Sequence, residues 1–245
     1  MPEIFFAYSL RILPAVLLGG VLLAVFPRRE SLGRVLIHIL LFILIRDAMT
    51  PAGLWQLGGE RLLWIRFVPD AGILVSLSLL CLGLVFGLNW LEPELKALLV
   101  YFKGPKIQAI LYGLLAAFVL FLPVAAAYRL IPLAERGGAV PAMLLGPILM
   151  LGIFGNFYEE LLFRGYFQGW CEKSLPPWKA ALLSGLLFAF GHVFLATTVT
   201  NTGLPVLAFT LYEGLACAFL RMKYGLVTST LTHGTLIFLL ASGLV

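Results

Sequence analysis

Glu159 and Glu160 stand side by side, with Arg164 four residues beyond Glu160, inside a run from Pro141 to Trp170 that is otherwise almost wholly apolar. At about 1.5 Å of rise per residue, a run of that length crosses a bilayer as a helix. An Asp, Lys or Arg at the centre of a membrane helix costs about 2.5–3.5 kcal/mol, so intramembrane charges of this density point to function. Glu160 and Arg164 are spaced i,i+4, share a helix face and are expected to pair. Glu159 lies about 100° around the helix and must meet a different neighbour. It is the carboxylate left to act as a general base. Two histidines follow in later apolar runs: His192, in Phe188-Ala189-Phe190-Gly191-His192, and His233, in Thr232-His233-Gly234-Thr235. An unsatisfied imidazole is costly in such surroundings. One carboxylate and two imidazoles, brought together from three helices, could hold a water. Glu159 would take its proton, a histidine would donate to the developing oxyanion, and the water would attack a peptide carbonyl.

Blander readings exist for each residue. A histidine in a membrane helix is often an interhelical hydrogen bonder, which is the reading for His38 in Ile37-His38-Ile39. Glu159, Glu160 and Arg164 alone could be structural ion pairing. The two histidines, one in each of two later runs, weigh toward catalysis.

The elements that must position these groups are membrane helices. Hydrophobic residues make up 61% of the chain and charged residues only 12%, against about a quarter in soluble proteins. The net charge of +5 comes from lysines and arginines lying mostly at the ends of apolar runs, as topology determinants do. No basic stripe is interleaved with aromatics, so a nucleic-acid partner is set aside. Cys81, Cys171 and Cys217 show no CxxC or metal-ligand spacing and read as small buried hydrophobes. Eight apolar runs are expected to be helices: 8–26, 34–49, 67–91, 107–130, 141–170, 178–196, 204–220 and 226–244. Pro51 closes the second. The first is followed by Pro27-Arg28-Arg29 and no small-residue cleavage site, so it reads as a retained helix. Pro14, Pro123 and Pro147 read as kinks inside helices. Glu92 to Lys106 mixes charges with leucines and suggests a short interfacial helix. The expected fold is all-α, a polytopic bundle of about eight transmembrane helices. It forms one continuous membrane domain, with N-terminal helices over 1–140 and the catalytic helices over 141–245.

Basic residues set the orientation. With the N-terminus outside, the cytoplasmic loops hold ten: Arg28, Arg29, Arg34, Lys96, Lys103, Lys106, Lys173, Lys179, Arg221 and Lys223. The opposite side holds six: Arg11, Arg46, Arg61, Arg66, Arg129 and Arg136. The positive-inside rule places both termini outside.

Glu159-Glu160-x-x-x-Arg164, then Phe188-x-x-x-His192, then a last-helix His233 resembles the CAAX protease and bacteriocin-processing (CPBP, abortive-infection) family of intramembrane glutamic endopeptidases. That family is related to the Ras-converting CAAX endopeptidase. The similarity runs from about Gly155 to Leu240 and includes Arg221-Met222-Lys223-Tyr224-Gly225-Leu226. The resemblance implies that Glu159 activates the water and that Glu160 orients His192 or pairs with Arg164. It implies that His192 positions the water or stabilises the oxyanion, and that His233 completes the oxyanion hole. The family usually carries Asn or Asp four residues after the last histidine, where this chain has Ile237. Asn156 and Thr235 are the candidate substitutes. The resemblance implies no metal cofactor. The alternative is zinc held by two histidines and a glutamate, for which His-Glu-x-x-His is absent. Two non-protease alternatives are a transporter, disfavoured by the lack of inverted repeats, and an inactive scaffold, for which Ile237 is the support. The expected substrate is a membrane-embedded or membrane-associated protein or peptide in the lipid bilayer. The expected location is a prokaryotic inner membrane. Glu213 is a further intramembrane acid, with solvent in the active cavity as its expected neighbour.

Overall fold

The computed structural model describes residues 2–58, 63–200 and 202–245. Helices α1 (Pro2–Val25) and α2 (Ser31–Asp47) lead into a hairpin of β1 (Trp55–Gly58) and β2 (Trp64–Phe67). Then come α3 (Ala71–Leu91), the single turn α4 (Pro93–Lys96), α5 (Lys106–Tyr128) and a 3-10 turn at Leu133–Arg136. Helix α6 (Ala142–Glu160) runs through a π-helical segment, Leu161–Phe167, into α7 (Gln168–Cys171). The chain closes with α8 (Pro177–Phe190), a second π segment at Leu195–Val199, α9 (Leu204–Tyr224) and α10 (Leu226–Ala241).

All eight apolar runs are helices, and Pro14, Pro123 and Pro147 lie inside them as expected. Six helices are long and apolar enough to cross a membrane. The other two are α2, of 17 residues with Arg34, Arg46 and Asp47, and α10, of 16 residues. The burial pattern is that of a membrane bundle. Large apolar side chains such as Val21, Phe86, Leu115 and Leu122 point outward, while Glu160, Arg164, Ser184 and Arg221 are fully buried. The interfacial helix expected over Glu92–Lys106 is reduced to α4.

Helices from both halves pack together: α10 lies against α5 and α6, α3 against α6, and α8 against α9. The α6–α10 contact is made by two glycines. A Cβ on Gly152 would sit 2.8 Å from the carbonyl of Gly234, and one on Gly234 would sit 2.7 Å from that of Gly152. This close approach, the same device that small residues serve in other membrane helix pairs, brings His233 up to the carboxylates at the end of α6.

Hydrogen bonds between loops sort the helix ends onto two sides. Lys103 donates to the Tyr224 carbonyl and Leu226 to that of Val100, joining the α3–α5 and α9–α10 connections. Arg34 on α2 reaches Glu92, and Arg221 reaches Glu172. At the other ends, Arg66 of the hairpin donates to the carbonyls of Gly138 and Leu240, and Arg136 to that of Val245. Alternate connections therefore meet on opposite sides of the bundle.

The hairpin is the main departure from an all-helical expectation. It pairs Trp55 with Phe67 and Gly58 with Trp64 in antiparallel register. A Cβ on Gly58 would lie 2.1 Å from the Trp64 ring, so any larger residue there would displace that ring. Non-helical backbone is tolerated within a membrane protein where it is buried against protein or lines a cavity, and this hairpin does both. A second correction concerns the basic residues. Arg34, Arg46, Arg66, Arg136 and Arg221 are buried and bonded within the protein, not free loop charges. Arg61 lies outside the described residues.

Candidate active site

The π segment begins directly after Glu160. Its wider turn frees backbone groups, and Ser184 on α8 donates to the Phe163 carbonyl at 2.9 Å. Arg164, inside this segment, still reaches back to Glu160, with Nη1 3.0 Å from Oε1. Both side chains are completely buried. The guanidinium is anchored by Nη2 on the Gly214 carbonyl at 3.0 Å, and lies 4.0 Å from the Phe188 ring centroid in a cation–π contact. Glu160 also contacts His233, whose Nδ1 lies 2.9 Å from Oε1. A carboxylate accepts here, so Nδ1 donates and the other ring nitrogen is left facing inward. That Nε2 sits 3.5 Å from Glu213 Oε1 and 4.0 Å from Glu159 Oε2.

Glu159 faces a different set of groups, as its position on the helix requires. Its Oε1 is 3.4 Å from Arg46 Nη1 and 3.8 Å from His192 Nε2. These are long contacts, and Glu159 is held far less tightly than Glu160. His192 Nδ1 lies 2.8 Å from the Phe188 carbonyl. A carbonyl cannot donate, so this nitrogen carries the hydrogen. His192 Nε2 is then an acceptor, and it takes a hydrogen bond from Arg46 Nη1 at 2.8 Å. Of the two expected partners of Glu160, the structure supplies Arg164 and not His192.

Glu159, His192, His233 and Glu213 line one cavity of about 140 Å³, ample for several waters. Hairpin residues Trp55, Leu57, Ile65 and Phe67 form part of its wall. Glu213 thus borders the cavity, and its buried Oε1 has no hydrogen-bond partner among the described residues. Ile237 lines the wall but offers no donor. Of the two candidate substitutes, Asn156 is on the wall with Nδ2 turned to the Gly152 carbonyl at 2.6 Å, and Thr235 is buried away from it.

Sequence reasoning missed Arg46, which it counted as a loop charge, together with Asp47 and the hairpin. Arg46 Nε donates to Asp47 Oδ1 and Nη2 to the Gly191 carbonyl, each at 2.8 Å. The available signal was an arginine–aspartate pair at the end of a run too short to span comfortably. Among the described residues, no three His, Cys, Asp or Glu side chains are grouped so as to hold a metal ion.

Residues 141–239 match the family model described as type II CAAX prenyl endopeptidase Rce1-like. That segment carries Glu159, Glu160, Arg164, His192 and His233, and the match bears out the resemblance drawn from the motifs. No curated protein and no solved structure matches the chain significantly.

Proposed function

We propose, from the family match over residues 141–239 and the cavity that several of them line, that this chain is an intramembrane endopeptidase hydrolysing a membrane-associated protein or peptide with a water activated by Glu159. The carrying observation is the contrast between the two neighbouring carboxylates. Glu160 is locked between Arg164 and His233, while Glu159 faces the cavity with only long contacts. In the reaction, a water in the cavity gives a proton to Glu159 as its oxygen bonds to the scissile carbonyl carbon. The carbonyl π pair moves onto oxygen. Collapse of this tetrahedral species breaks the C–N bond, and Glu159 returns the proton to the leaving amine. Glu160 and Arg164 orient His233, which completes the polar wall.

No metal enters this scheme. A zinc ligated by His192 Nε2 would have to displace the Arg46 guanidinium that this nitrogen faces at 2.8 Å, placing a dication beside a cation. With buried arginines set aside, the described residues leave eight basic side chains on the side of Arg28 and Lys103 and two, Arg11 and Arg129, on the other. This favours both termini outside.

The test compares membrane proteomes of cells expressing the intact protein or Glu159→Ala at equal level. The expected result is a full-length precursor that accumulates only with the variant. Identical sets of protein termini in the two strains would overturn the proposal.

A further inference from the structure

We infer that Arg46 is a catalytic residue of this enzyme: its guanidinium Nη1 holds the oxyanion formed when the Glu159-activated water adds to the peptide carbonyl. The inference rests on the assignment of Glu159 as base and adds the group that stabilises the charge this base sets moving.

The oxyanion needs a donor in place before the charge develops. Of the two histidines expected there, His233 directs Nε2 at Glu213 Oε1 and Glu159 Oε2, at 3.5 and 4.0 Å, and His192 cannot donate as bonded here. His192 Nδ1 donates to the Phe188 carbonyl, so Nε2 presents a lone pair, and an oxyanion beside a lone pair is repelled. Ile237 brings a hydrocarbon side chain to the wall, and Asn156 turns its amide toward its own helix. Arg46 supplies the only guanidinium on the cavity wall among the described residues.

Its orientation is set from both ends. Nε is tied to Asp47, Nη2 to the Gly191 carbonyl, and the group lies against the Phe42 ring at 5.4 Å. These contacts leave Nη1 to face the cavity. One of its hydrogens goes to His192 Nε2 at 2.8 Å, and the other points to Glu159 Oε1 across 3.4 Å, too long for a strong bond. Charge bookkeeping then assigns the role. Before attack, the negative charge nearest Nη1 is the Glu159 carboxylate. When the water proton transfers, Glu159 becomes neutral and the charge passes to the former carbonyl oxygen. The loosely used N–H follows the charge from one oxygen to the other, with no net change in the number of ions in the cavity. The guanidinium is neither protonated nor consumed, and when the C–N bond breaks its hydrogen bond returns to the carboxylate side.

The experiment uses the full-length protein in lipid nanodiscs and a peptide library made by trypsin digestion of membrane proteins. Cleavage is read by mass spectrometry, and the best-cleaved peptide is then synthesised for kcat and KM. Arg46→Ala is expected to lower kcat by about 10²–10³-fold, the usual effect of losing one oxyanion donor, with KM changed by less than about threefold. Millimolar guanidinium chloride should restore part of the lost kcat in Arg46→Ala and none in Glu159→Gln. If Arg46→Ala fails to fold, Arg46→Lys decides. It keeps a cation but cannot hold Asp47, Gly191 and the cavity at once, and is expected to lose at least about tenfold in kcat. A folded Arg46 variant with wild-type kcat, beside an inactive Glu159→Gln, would overturn the role of Arg46 and leave the base assignment standing. Absence of guanidinium rescue alongside a raised KM would make Arg46 a binding or structural residue and likewise overturn the inference. No cleavage of any library peptide by the wild-type protein would overturn both.

Discussion

Two buried clusters in this molecule contain the same three kinds of side chain: an arginine, a glutamate and a histidine. In the first, Arg34 Nε donates to both oxygens of Glu92, at 2.8 and 3.1 Å, and Nη1 to the carbonyls of Leu23 and Phe26. His38 Nε2 completes it at 3.1 Å from Glu92. None of its fully buried side-chain nitrogen and oxygen atoms lacks a hydrogen-bond partner among the described residues. In the second, around Glu159, Glu160, Arg164 and His233, buried Glu160 Oε2, Arg164 Nε and Glu213 Oε1 have no hydrogen-bond partner among the described residues, and the cluster borders a cavity. The difference lies in satisfaction, not in residue type. A saturated cluster ties helices together. A cluster with unpaired donors and acceptors beside room for water is prepared for something that arrives later.

The comparison breaks most severely at Arg164. Its loss strands Glu160 in a fully buried site, and removing one partner of a buried pair costs about 3–5 kcal/mol. Arg164→Ala should therefore lower steady-state abundance and thermal stability more than Glu159→Gln does. Equal levels of the two variants would count against the pairing.

A smaller effect is expected at the glycine contact. Gly234→Ala must push α10 away from α6, because the new methyl would meet the Gly152 carbonyl at 2.7 Å. Overpacking of this kind costs about 1–3 kcal/mol, and here it also moves His233 relative to Glu160. A drop in both unfolding temperature and cleavage rate is expected. A stability loss at unchanged rate would show that the α6–α10 spacing does not set the site.

The saturated cluster should respond to pH in stability. Burial alone would raise the Glu92 carboxyl, but the hydrogen bonds and charges of Arg34 and His38 outweigh it and hold the group below its usual range. A depressed carboxyl contributes stability above its unfolded value of about 4.3, and that contribution is lost as pH falls through the folded value. Glu92→Gln should then be less stable than wild type at neutral pH, by about 1.5–3 kcal/mol for a charged hydrogen bond. The gap should narrow below about pH 4.3. A gap that is constant in unfolding measurements across that range would contradict the ion pair. The smallest effect is expected from chelators: EDTA and phenanthroline should leave activity unchanged, whereas loss of activity restored by zinc alone would favour the zinc enzyme.

The sequence carried the helices and the motif residues well, because apolar run length and i,i+4 spacing are local properties. Glu160 and Arg164 meet as their spacing requires, and His192 and His233 reach the same cavity as Glu159. What it did not carry depends on long-range contact. Arg46 is 113 residues from Glu159 and 146 from His192, and nothing in Arg46-Asp47-Ala48-Met49 distinguishes a loop cation from one folded inward. The hairpin was missed for the same reason. Its strands are four residues each and gain their stability from Arg66, Tyr128 and the cavity wall, not from local pattern. His38 shows the opposite case, an interhelical hydrogen bonder read correctly from its surroundings alone.

The most direct test sets the two clusters against each other in one reconstituted assay, with Glu159→Gln and Glu92→Gln measured beside wild type for cleavage rate per folded molecule and for thermal unfolding. Glu159→Gln should lose at least about 10²-fold in rate, the lower end for general-base catalysis, with an unfolding temperature close to wild type. Glu92→Gln should unfold earlier yet cleave at the wild-type rate. Wild-type turnover by Glu159→Gln would contradict the account, whatever the second variant does.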